Sequence, residues 1–404
     1  MAASARVVIV GGGVTGLSTA YHLAQRSGVE VVLLEKGPVG DGSSTRAGGI
    51  CTSQLWAQVP IQVRVIALRR FKELSEELPD YTYHDVGCLN LFDPEELELR
   101  LEMKKLWDQY GVANELLDAD EMRRRWPALV IEDDIHGFLD ERGGYSEPDE
   151  YVPALAAGCR RRGVDIREFT AISEPVIESG RCTGVRTASG VVEADRVLSA
   201  THAWSDTVLA QAGYQVPCKL FVHQRFVTSP MPRPVALPAV NHHPGGCYFR
   251  PADGNRMLLG IGSPERMERP ALAADERMAG LTIDEEHFAR ERERHLRHVD
   301  LGGPISFEIT KIGITAHSVD GEPIMGPVPS VESLFVAGCL HSGGFAYNPG
   351  AGYVLAEMLA DETPSVDMTY YAADRFDPAE VQEFMATKIR EGEQSHIRGR
   401  SKRH

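Results

Sequence analysis

The chain has 404 residues, of which 43% are apolar, 7% aromatic and 25% charged, a profile that excludes a disordered, collagen-like or mucin-like protein. At roughly 150 residues per domain, this length suggests two or three domains. The 42 basic and 58 acidic residues give a net charge of −16, which disfavours nucleic acid and anionic membranes as main partners because both repel it.

Cysteine usage and apolar runs narrow the class of protein further. The seven cysteines are scattered, contain no Cys-x-x-Cys pair and are odd in number, which indicates reduced thiols rather than a disulfide framework or a zinc site. His242 and His243 lack the spacing and the acidic neighbours of metal ligands. No apolar run reaches about 18 residues, and the first apolar stretch runs directly into glycines. We therefore expect a cytoplasmic protein without a membrane span, a signal peptide or a metal.

A strand–turn–helix–strand pattern opens the chain. A β-branched run at 6–10 leads into GGGVTG at 11–16, residues 17–24 have helical composition, and a second strand at 30–34 ends at Glu35. In this pattern Gly11 permits a tight turn, Gly13 lets the backbone approach a pyrophosphate, and Gly16 lets helix and strand pack closely. The N–H groups at the helix start, around Val14 and Thr15, face the phosphate charge. Glu35 lies where an acid accepts hydrogen bonds from a ribose, so FAD or NAD is favoured over NADP.

Two further segments have the composition of ligand-facing backbone. Residues 42–50 read GSSTRAGGI, in which small and hydroxyl side chains precede paired glycines. Far downstream, a short strand at 333–338 is followed by HSGGF at 341–345, by NPGAG at 348–352 and by a helical run at 353–359. This order predicts a glycine-rich turn at a helix N-terminus, a second position suited to an anion or a polar ligand.

Together these segments resemble the FAD-dependent amine and amino-acid oxidoreductases, the family of D-amino acid oxidase, glycine oxidase, sarcosine oxidase and dimethylglycine dehydrogenase. The resemblance rests on GGGVTG with Glu35, SSTRAGGI, SVDGEPIMGPVP at 318–329 and FVAGCLHSGGFAYNPGAG at 335–352, with a weaker match at 188–205. It spans residues 5 to about 372 with gaps.

The resemblance implies an α/β fold of two domains with a discontinuous chain course. A Rossmann-like FAD-binding domain would comprise 1–80, 140–212 and 312–375. An α+β substrate domain with a large antiparallel sheet would comprise 81–139 and 213–311. Strand-like stretches at 223–228, 246–250 and 256–261 agree with the second domain. Residues 376–404 would form a C-terminal tail, with an acidic helix at 377–393 and a basic tip at 397–404.

The resemblance also implies which residues bind FAD. They come from the glycine-rich turn, the loop that follows Glu35, one strand start and the second motif. They are Gly11, Gly13, Val14, Thr15, Gly16, Glu35, Lys36, Ser43, Ser44, Thr45, Arg46, Gly48, Gly49, Ile172, His202, Gly313, Gly338, Ser342, Gly343, Gly344, Phe345 and Ala346.

Catalysis in such a protein transfers a hydride from a substrate C–H to flavin N5, and negative charge spreads over N1 and C2=O. Arg46 is similar in position to a cation beside the flavin. Tyr248 and Arg250 match a strand that faces the flavin in relatives. His341 is a candidate base or orienting group, as is His317, for which packing is the favoured role. Cys339 lies near a position of covalent flavin attachment in some relatives, although an inert packed thiol fits its surroundings better.

Two departures from the family limit the choice of substrate. The lysine that usually follows Gly-Gly-Phe is Ala346, and the arginine that holds a substrate carboxylate two residues after Gly313 is Thr315. A free amino acid is therefore a doubtful substrate unless another cation substitutes, the candidates being Arg225, Arg250 and Lys311.

Three functions stay open at this point. The first is oxidation of a C–N bond in an amine, an amino acid or an N-alkyl amino acid, giving an imine that water hydrolyses. The second is dehydrogenation of a 2-hydroxy acid, and the third is a flavoprotein subunit without its own turnover. Electrons would pass to oxygen or to a protein acceptor, and a homo-oligomer is possible in each case.

Overall fold

The computed structural model describes residues 5–262, 266–282 and 285–393. Its strands, in chain order, are β1 (Ala5–Val10), β2 (Val29–Leu34), β3 (Ile50–Cys51), β4 (Tyr83–His84), β5 (Cys88–Phe92), β6 (Glu115–Leu117), β7 (His136–Asp140), β8 (Gly144–Ser146), β9 (Asp165–Arg167), β10 (Ile172–Glu178), β11 (Arg181–Thr187), β12 (Gly190–Glu193), β13 (Arg196–Ser199), β14 (Lys219–Thr228), β15 (Ala239–His242), β16 (Cys247–Ala252), β17 (Arg256–Ile261), β18 (Phe307–His317), β19 (Ile324–Pro327) and β20 (Leu334–Gly338). Its helices are α1 (Val14–Leu23), α2 (Gln58–Glu77), α3 (Leu97–Gln109), α4 (Ala119–Arg125), α5 (Pro148–Arg161), α6 (Ser205–Leu209), α7 (Glu285–Leu296), α8 (Gly344–Leu359) and α9 (Pro378–Ala386).

A six-stranded sheet contains the N-terminal motif. Its order is β19-β20-β13-β1-β2-β9, with every pair parallel except β19 and β20. β1 and β2 are apolar and buried at their carboxyl ends, as strands covered on both faces must be. The predicted strand, glycine turn, helix and second strand at the N-terminus are confirmed. The turn lies at the carboxyl ends of β1 and β13, where ligands of open parallel sheets bind.

The second glycine-rich segment folds differently from its prediction. The NPGAG run was predicted as a turn, but it lies inside α8, which begins at Gly344. A methyl group on Gly350 would lie 2.3 Å from the Val63 carbonyl of α2, and one on Gly352 would lie 2.3 Å from Ser18 Oγ of α1. These glycines therefore allow three helices to pack closely and do not form a turn. The turn that precedes α8 comprises only residues 341–343.

An eight-stranded sheet forms the other large layer, in the order β18-β14-β17-β16-β15-β5-β7-β6. The strands predicted at 223–228, 246–250 and 256–261 are confirmed as β14, β16 and β17. The sheet is mixed and not wholly antiparallel, because β5 and β15 pair in parallel. β18 pairs with β14 along residues 219–228, so the domain boundary predicted at 312 falls inside a strand. The domain limits themselves stay a prediction.

The C-terminal segment is only partly as predicted. The helix expected at 377–393 is α9, which ends at Ala386. The chain beyond it turns back because Met267 and Arg390 form a β-bridge, and Glu391 donates its backbone N–H to the Arg266 carbonyl. The basic tip at 397–404 lies outside the described residues. No helix within the described ranges is long and apolar enough to cross a membrane.

Candidate active site

A cavity of about 980 Å³ collects most of the predicted site. It lies against the β1–α1 turn, the loop after β2, the start of α8 and the central strands of the eight-stranded sheet. All but three of the predicted cofactor-binding residues line it, and the exceptions are Gly16, Thr45 and Gly338. Of the predicted catalytic residues, Arg46, Tyr248 and His341 line it and Arg250 does not.

At one end of the cavity, the glycines of the first turn are required by close backbone approaches. Gly11 has φ +112, and a methyl group there would lie 2.5 Å from the Ala200 carbonyl oxygen. A methyl group on Gly16 would lie 2.0 Å from the Gly11 carbonyl oxygen, so α1 and β1 touch at that point. Glu35 accepts hydrogen bonds from Gly12 N at 2.7 Å and from Gly37 N at 2.9 Å. The acid therefore fixes the turn at the helix N-terminus.

The two serines of the loop after β2 tie it to helix α1 and to strand β18. Ser44 Oγ accepts the Val14 N–H at 2.9 Å, at the start of α1. Ser43 Oγ donates to the Ile314 carbonyl at 2.7 Å, on β18. Arg46 donates to the Gly42 carbonyl at 2.7 Å and lies 3.5 Å from Asp41. The loop thus presents Arg46 to the cavity from a position held at both ends.

Lys36 and Ile172 lie near the Glu35 end of the cavity. The Lys36 ammonium donates to the carbonyls of Ala274 and Glu276 at 2.8 and 3.0 Å, and it sits 3.8 Å from the centre of the Trp204 ring. Burial lowers the pKa of Lys36 from its ordinary value. Its contacts hold the 274–276 segment against the wall of the cavity.

Tyr248 explains the first glycine of the GGI segment and a glycine on β17. A methyl group on Gly48 would lie 2.5 Å from the Tyr248 ring, and one on Gly260 would lie 1.7 Å from it. The phenol lies 3.0 Å from His223 Nε2. Burial raises the pKa of Tyr248 to about 12, and burial together with the nearby Arg266 lowers that of His223 to about 4. The pair is therefore uncharged near neutral pH, and His223 is a site residue that sequence analysis missed.

The structure places Arg250 in an ion pair behind the cavity wall. Its guanidinium binds both carboxylate oxygens of Glu147 at 2.6 and 2.9 Å and donates to the Gly48 carbonyl at 2.7 Å. Burial alone would raise the pKa of Glu147, but the guanidinium more than offsets this and the pKa lies below its usual value. Arg250 is fully buried, so this geometry gives it a positioning role beside Tyr248 and does not support the predicted substrate contact.

The other two candidate carboxylate anchors, Lys311 and Arg225, also have partners outside the cavity. Lys311 binds Asp149 at 2.6 Å, and Arg225 lies 3.6 Å from the same carboxylate while donating to the Thr45 carbonyl. Neither lines the cavity. The residues at the family's usual anchor positions, Thr315 and Ala346, do line it but carry no charge.

The histidines of the site differ in their environments. His202 adopts φ +48, and its Nε2 lies 2.9 Å from the Ile314 carbonyl. Burial lowers the pKa of His202. His341 lines the cavity with φ +44, and its Nδ1 accepts the Gly343 N–H at 2.9 Å. His317 does not line the cavity and packs edge-on against Phe221.

Cys339 is buried on the far side of β20, away from the cavity. It packs in the apolar cluster that contains Val197 and Val336, and it is not among the lining residues. A hydrogen bond with Cys218 and burial raise the pKa of the Cys339 thiol well above its usual value. This environment fits a packed thiol and not a point of flavin attachment.

A row of side-chain amides on the cavity wall was also missed. Asn241 donates to Asn90 Oδ1 at 2.8 Å, and Asn90 donates to Gln54 Oε1 at 2.8 Å. Asn90 and Asn241 are register partners on β5 and β15. Behind them, Thr52 donates to the buried Asp140 at 3.0 Å. Asn90 is a polar residue within the otherwise apolar strand CLNLF. This break in the apolar pattern is the signal in the sequence that could have indicated a polar wall.

A family model described as FAD dependent oxidoreductase matches residues 6–358. The chain belongs to this family. It is 28% identical over 386 residues to sarcosine oxidase subunit beta of Arthrobacter sp, covering 92% of this chain and 91% of the relative. It is 27% identical over 374 residues to 4-methylaminobutanoate oxidase (formaldehyde-forming) of Paenarthrobacter nicotinovorans, covering 92% of this chain but only 45% of that relative.

Solved structures of other proteins have a similar fold. L-Proline dehydrogenase from P. horikoshii superposes with a TM-score of 0.84 at 24% identity, covering 93% of this chain and 98% of that one. The protein is therefore an FAD-dependent oxidoreductase by family, and its α/β fold is that of this group.

The residues of the cavity fit FAD. The start of α1 is closely packed, since a methyl group on Gly13 would lie 3.0 Å from Ser44 Oγ. Glycine at this position leaves the backbone accessible to a pyrophosphate. Glu35 lies at the end of β2, where the ribose acid of dinucleotide sites stands. Arg46 and the residues at the start of α8 would hold the isoalloxazine end of FAD.

Proposed function

We propose that this protein oxidises the C–N bond of an amine, an amino acid or an N-alkyl amino acid, with FAD as the hydride acceptor. The observation that carries the proposal is the continuity of one cavity. It joins the Glu35 end to the start of α8 and then to a wall of Tyr248, Asn90 and Asn241. The names of the two relatives reported above, a sarcosine oxidase subunit and a methylaminobutanoate oxidase, support the same class of substrate.

When bound, FAD supplies a two-electron acceptor for the substrate C–H bond. The chain would hold it with the Gly11–Gly13 turn, Glu35, the 43–49 loop and the N–H groups at the start of α8. The uncharged Tyr248–His223 pair and the amide wall orient a polar substrate. The product imine would be hydrolysed by water to a carbonyl compound and an amine.

His341 favours an amine over a 2-hydroxy acid as the substrate. Its Nδ1 accepts the Gly343 N–H, so the proton of a neutral ring is on Nε2 and this nitrogen donates rather than accepts. An alcohol needs a base to take its hydroxyl proton, whereas an unprotonated amine needs none. The ring as placed therefore suits hydrogen bonding to a substrate better than proton removal from an alcohol.

The proposal is tested by anaerobic mixing of the FAD-loaded protein with a panel of primary amines, amino acids, N-methyl amino acids and 2-hydroxy acids, following the visible flavin absorbance. We expect bleaching with members of the first three groups. Bleaching by hydroxy acids alone would assign the protein to the second function named above. A flavin that no compound bleaches would point to a subunit that binds FAD without its own substrate. Repeating the experiment in air and with artificial acceptors tests whether oxygen accepts the electrons.

Replacing Arg46 by alanine is expected to slow flavin reduction about 10-fold at saturating amine, because a fixed cation next to the cavity stabilises the negative charge that develops on the ring. Stopped-flow absorbance measures this rate. Lys311→Ala is the matched control, since it removes a cation that also contacts this loop, at the Thr45 carbonyl, but lies outside the cavity. Equal reduction rates in Arg46→Ala and in the unmodified protein would remove Arg46 from the mechanism.

A further inference from the structure

Five lysine and arginine side chains line the cavity in the described part of the chain. Four of them have a carboxylate partner or donate hydrogen bonds to backbone carbonyls. Arg100 binds Glu96 at 2.8 Å, Arg46 and Arg277 share Asp41, and Lys36 donates to two backbone carbonyls. The fifth is Arg64, on α2. Its guanidinium donates to the Thr52 carbonyl at 3.4 Å, and its Nε has no hydrogen-bond partner among the residues that the structure describes.

Arg64 is placed at the start of α8 by helix packing. Its guanidinium stacks 4.3 Å from the centre of the Tyr347 ring, one turn into α8. A methyl group on Gly343 would lie 2.6 Å from Arg64 Nη2, so the guanidinium is adjacent to the backbone of the 343–344 turn. The side chain is 5% exposed. α2 therefore delivers a buried positive charge to the cavity wall next to the start of α8.

An isolated buried cation is costly to the fold, because it loses its hydration without gaining a counter-charge. Among the described residues, the hydrogen bond of the Arg64 guanidinium goes to a backbone carbonyl and not to a carboxylate. The free N–H groups at the start of α8 add positive potential at the same point and so do not relieve the cost. An anionic ligand group would neutralise the guanidinium, and a planar carboxylate matches its two parallel N–H donors.

The cavity lacks the charged residues that usually anchor a substrate carboxylate in the family, because Thr315 and Ala346 occupy their positions. Ala346 lies in the first turn of α8, the turn that Arg64 approaches from α2. We propose that Arg64 binds the carboxylate of the substrate, a specificity-determining contact made from a different helix. The inference rests on the proposed function and narrows it: the substrate is an amino acid or an N-alkyl amino acid, and not a simple amine.

The test compares matched carboxylate and amide ligands in the FAD-loaded protein. Acetate and benzoate, with acetamide and benzamide as neutral counterparts, are titrated by calorimetry and by their perturbation of the flavin spectrum. In Arg64→Met we expect the Kd of the carboxylates to rise about 10- to 100-fold, since a charge-assisted hydrogen bond is lost, with the Kd of the amides changed less than about 2-fold. Arg64→Lys retains the charge without the planar fork and is expected to restore part of the affinity.

Arg69→Met is the matched control, because Arg69 is an exposed cation on the same helix. It is expected to bind all four ligands as the unmodified protein does. Equal carboxylate affinity in Arg64→Met and the unmodified protein overturns the proposal, and so does a protein that binds amides as tightly as carboxylates. If Arg64 had only a structural role, the Arg64→Met substitution would lower thermal stability without changing the ratio of carboxylate to amide affinity.

Failure of the proposed function is a separate result. If no amine bleaches the flavin but Arg64→Met still loses carboxylate binding, the anion site stands and the oxidation of C–N bonds does not. If amino acids bleach the flavin and their carboxamides or decarboxylated analogues do so equally well, the function stands and Arg64 is not the anchor.

Discussion

Replacing Gly16 by alanine is expected to weaken FAD binding at least 100-fold, because the added methyl group would lie 2.0 Å from the Gly11 carbonyl oxygen. Gly16 itself does not line the cavity, so the effect is transmitted through the backbone. Gly11 cannot move to accommodate the methyl, since its φ of +112 is specific to glycine and a methyl group on Gly11 would itself lie 2.5 Å from the Ala200 carbonyl oxygen. The N-terminus of α1 would shift away from the pyrophosphate.

Calorimetric titration of the apoprotein with FAD measures this loss. Gly280→Ala is the matched control, because a methyl group at Gly280 meets no atom within 4 Å and the residue does not have a positive φ. Glu35→Gln provides a second variant that keeps the packing: it places an amide where the carboxylate accepts two backbone N–H groups, and about 10-fold weaker binding is expected. Unchanged FAD affinity in Gly16→Ala would contradict the assigned role of the turn.

Acid is expected to destabilise the protein steeply below pH 6.5 because of two histidines that are buried uncharged. Burial, together with the nearby Arg70 and Arg26, lowers the pKa of His22 to about 3, and the pKa of His223 is lowered to about 4. The unfolded chain takes up these protons near pH 6.5 and the folded chain does not. Each histidine therefore contributes stability that is complete above pH 6.5 and is lost as the pH falls toward its folded pKa.

The expected loss is about 1.4 kcal/mol per pH unit for each histidine, or about 4 kcal/mol between pH 6.5 and pH 5 for the pair. Urea denaturation of the FAD-loaded protein at pH 7.5 and at pH 5.0 measures it. His22→Gln is expected to halve the difference between the two pH values while leaving His223 to provide the rest. A free energy of unfolding that is the same at both pH values in the unmodified protein would refute this assignment. His22 is part of α1, and its ring packs edge-on against Tyr353 of α8, so acid should also release FAD.

Local patterns were sufficient for the parts of the fold that short-range chemistry determines. The 6–35 region combines a β-branched run, spaced glycines and a terminal acid, and each has one plausible role in a parallel sheet. β14, β16 and β17 were also evident from their composition. The glycine-rich run in α8 was not, because glycine indicates a turn locally and a close helix contact only when the partner helices are known.

The chemistry of the wall could not be obtained from the sequence, because it depends on partners distant in the chain. Arg250 was predicted to contact the substrate, yet its carboxylate partner Glu147 lies 103 residues away. Asn90 and Asn241 are brought together only by the pairing of β5 with β15. Arg64 has no sequence signal at all, since a single arginine on an amphipathic helix usually faces solvent.

The return of the chain after α9 bears on how the protein can be shortened or fused. The Lys219 ammonium is 5% exposed, and it donates to the Thr387 carbonyl at 2.9 Å as well as to Glu268. A version cut near residue 376, where the tail was predicted to begin, would remove this cap and strip the cover from Phe221 on β14. Recombinant versions should therefore keep residues up to at least 393, and an affinity tag placed beyond that point would avoid the buried ammonium.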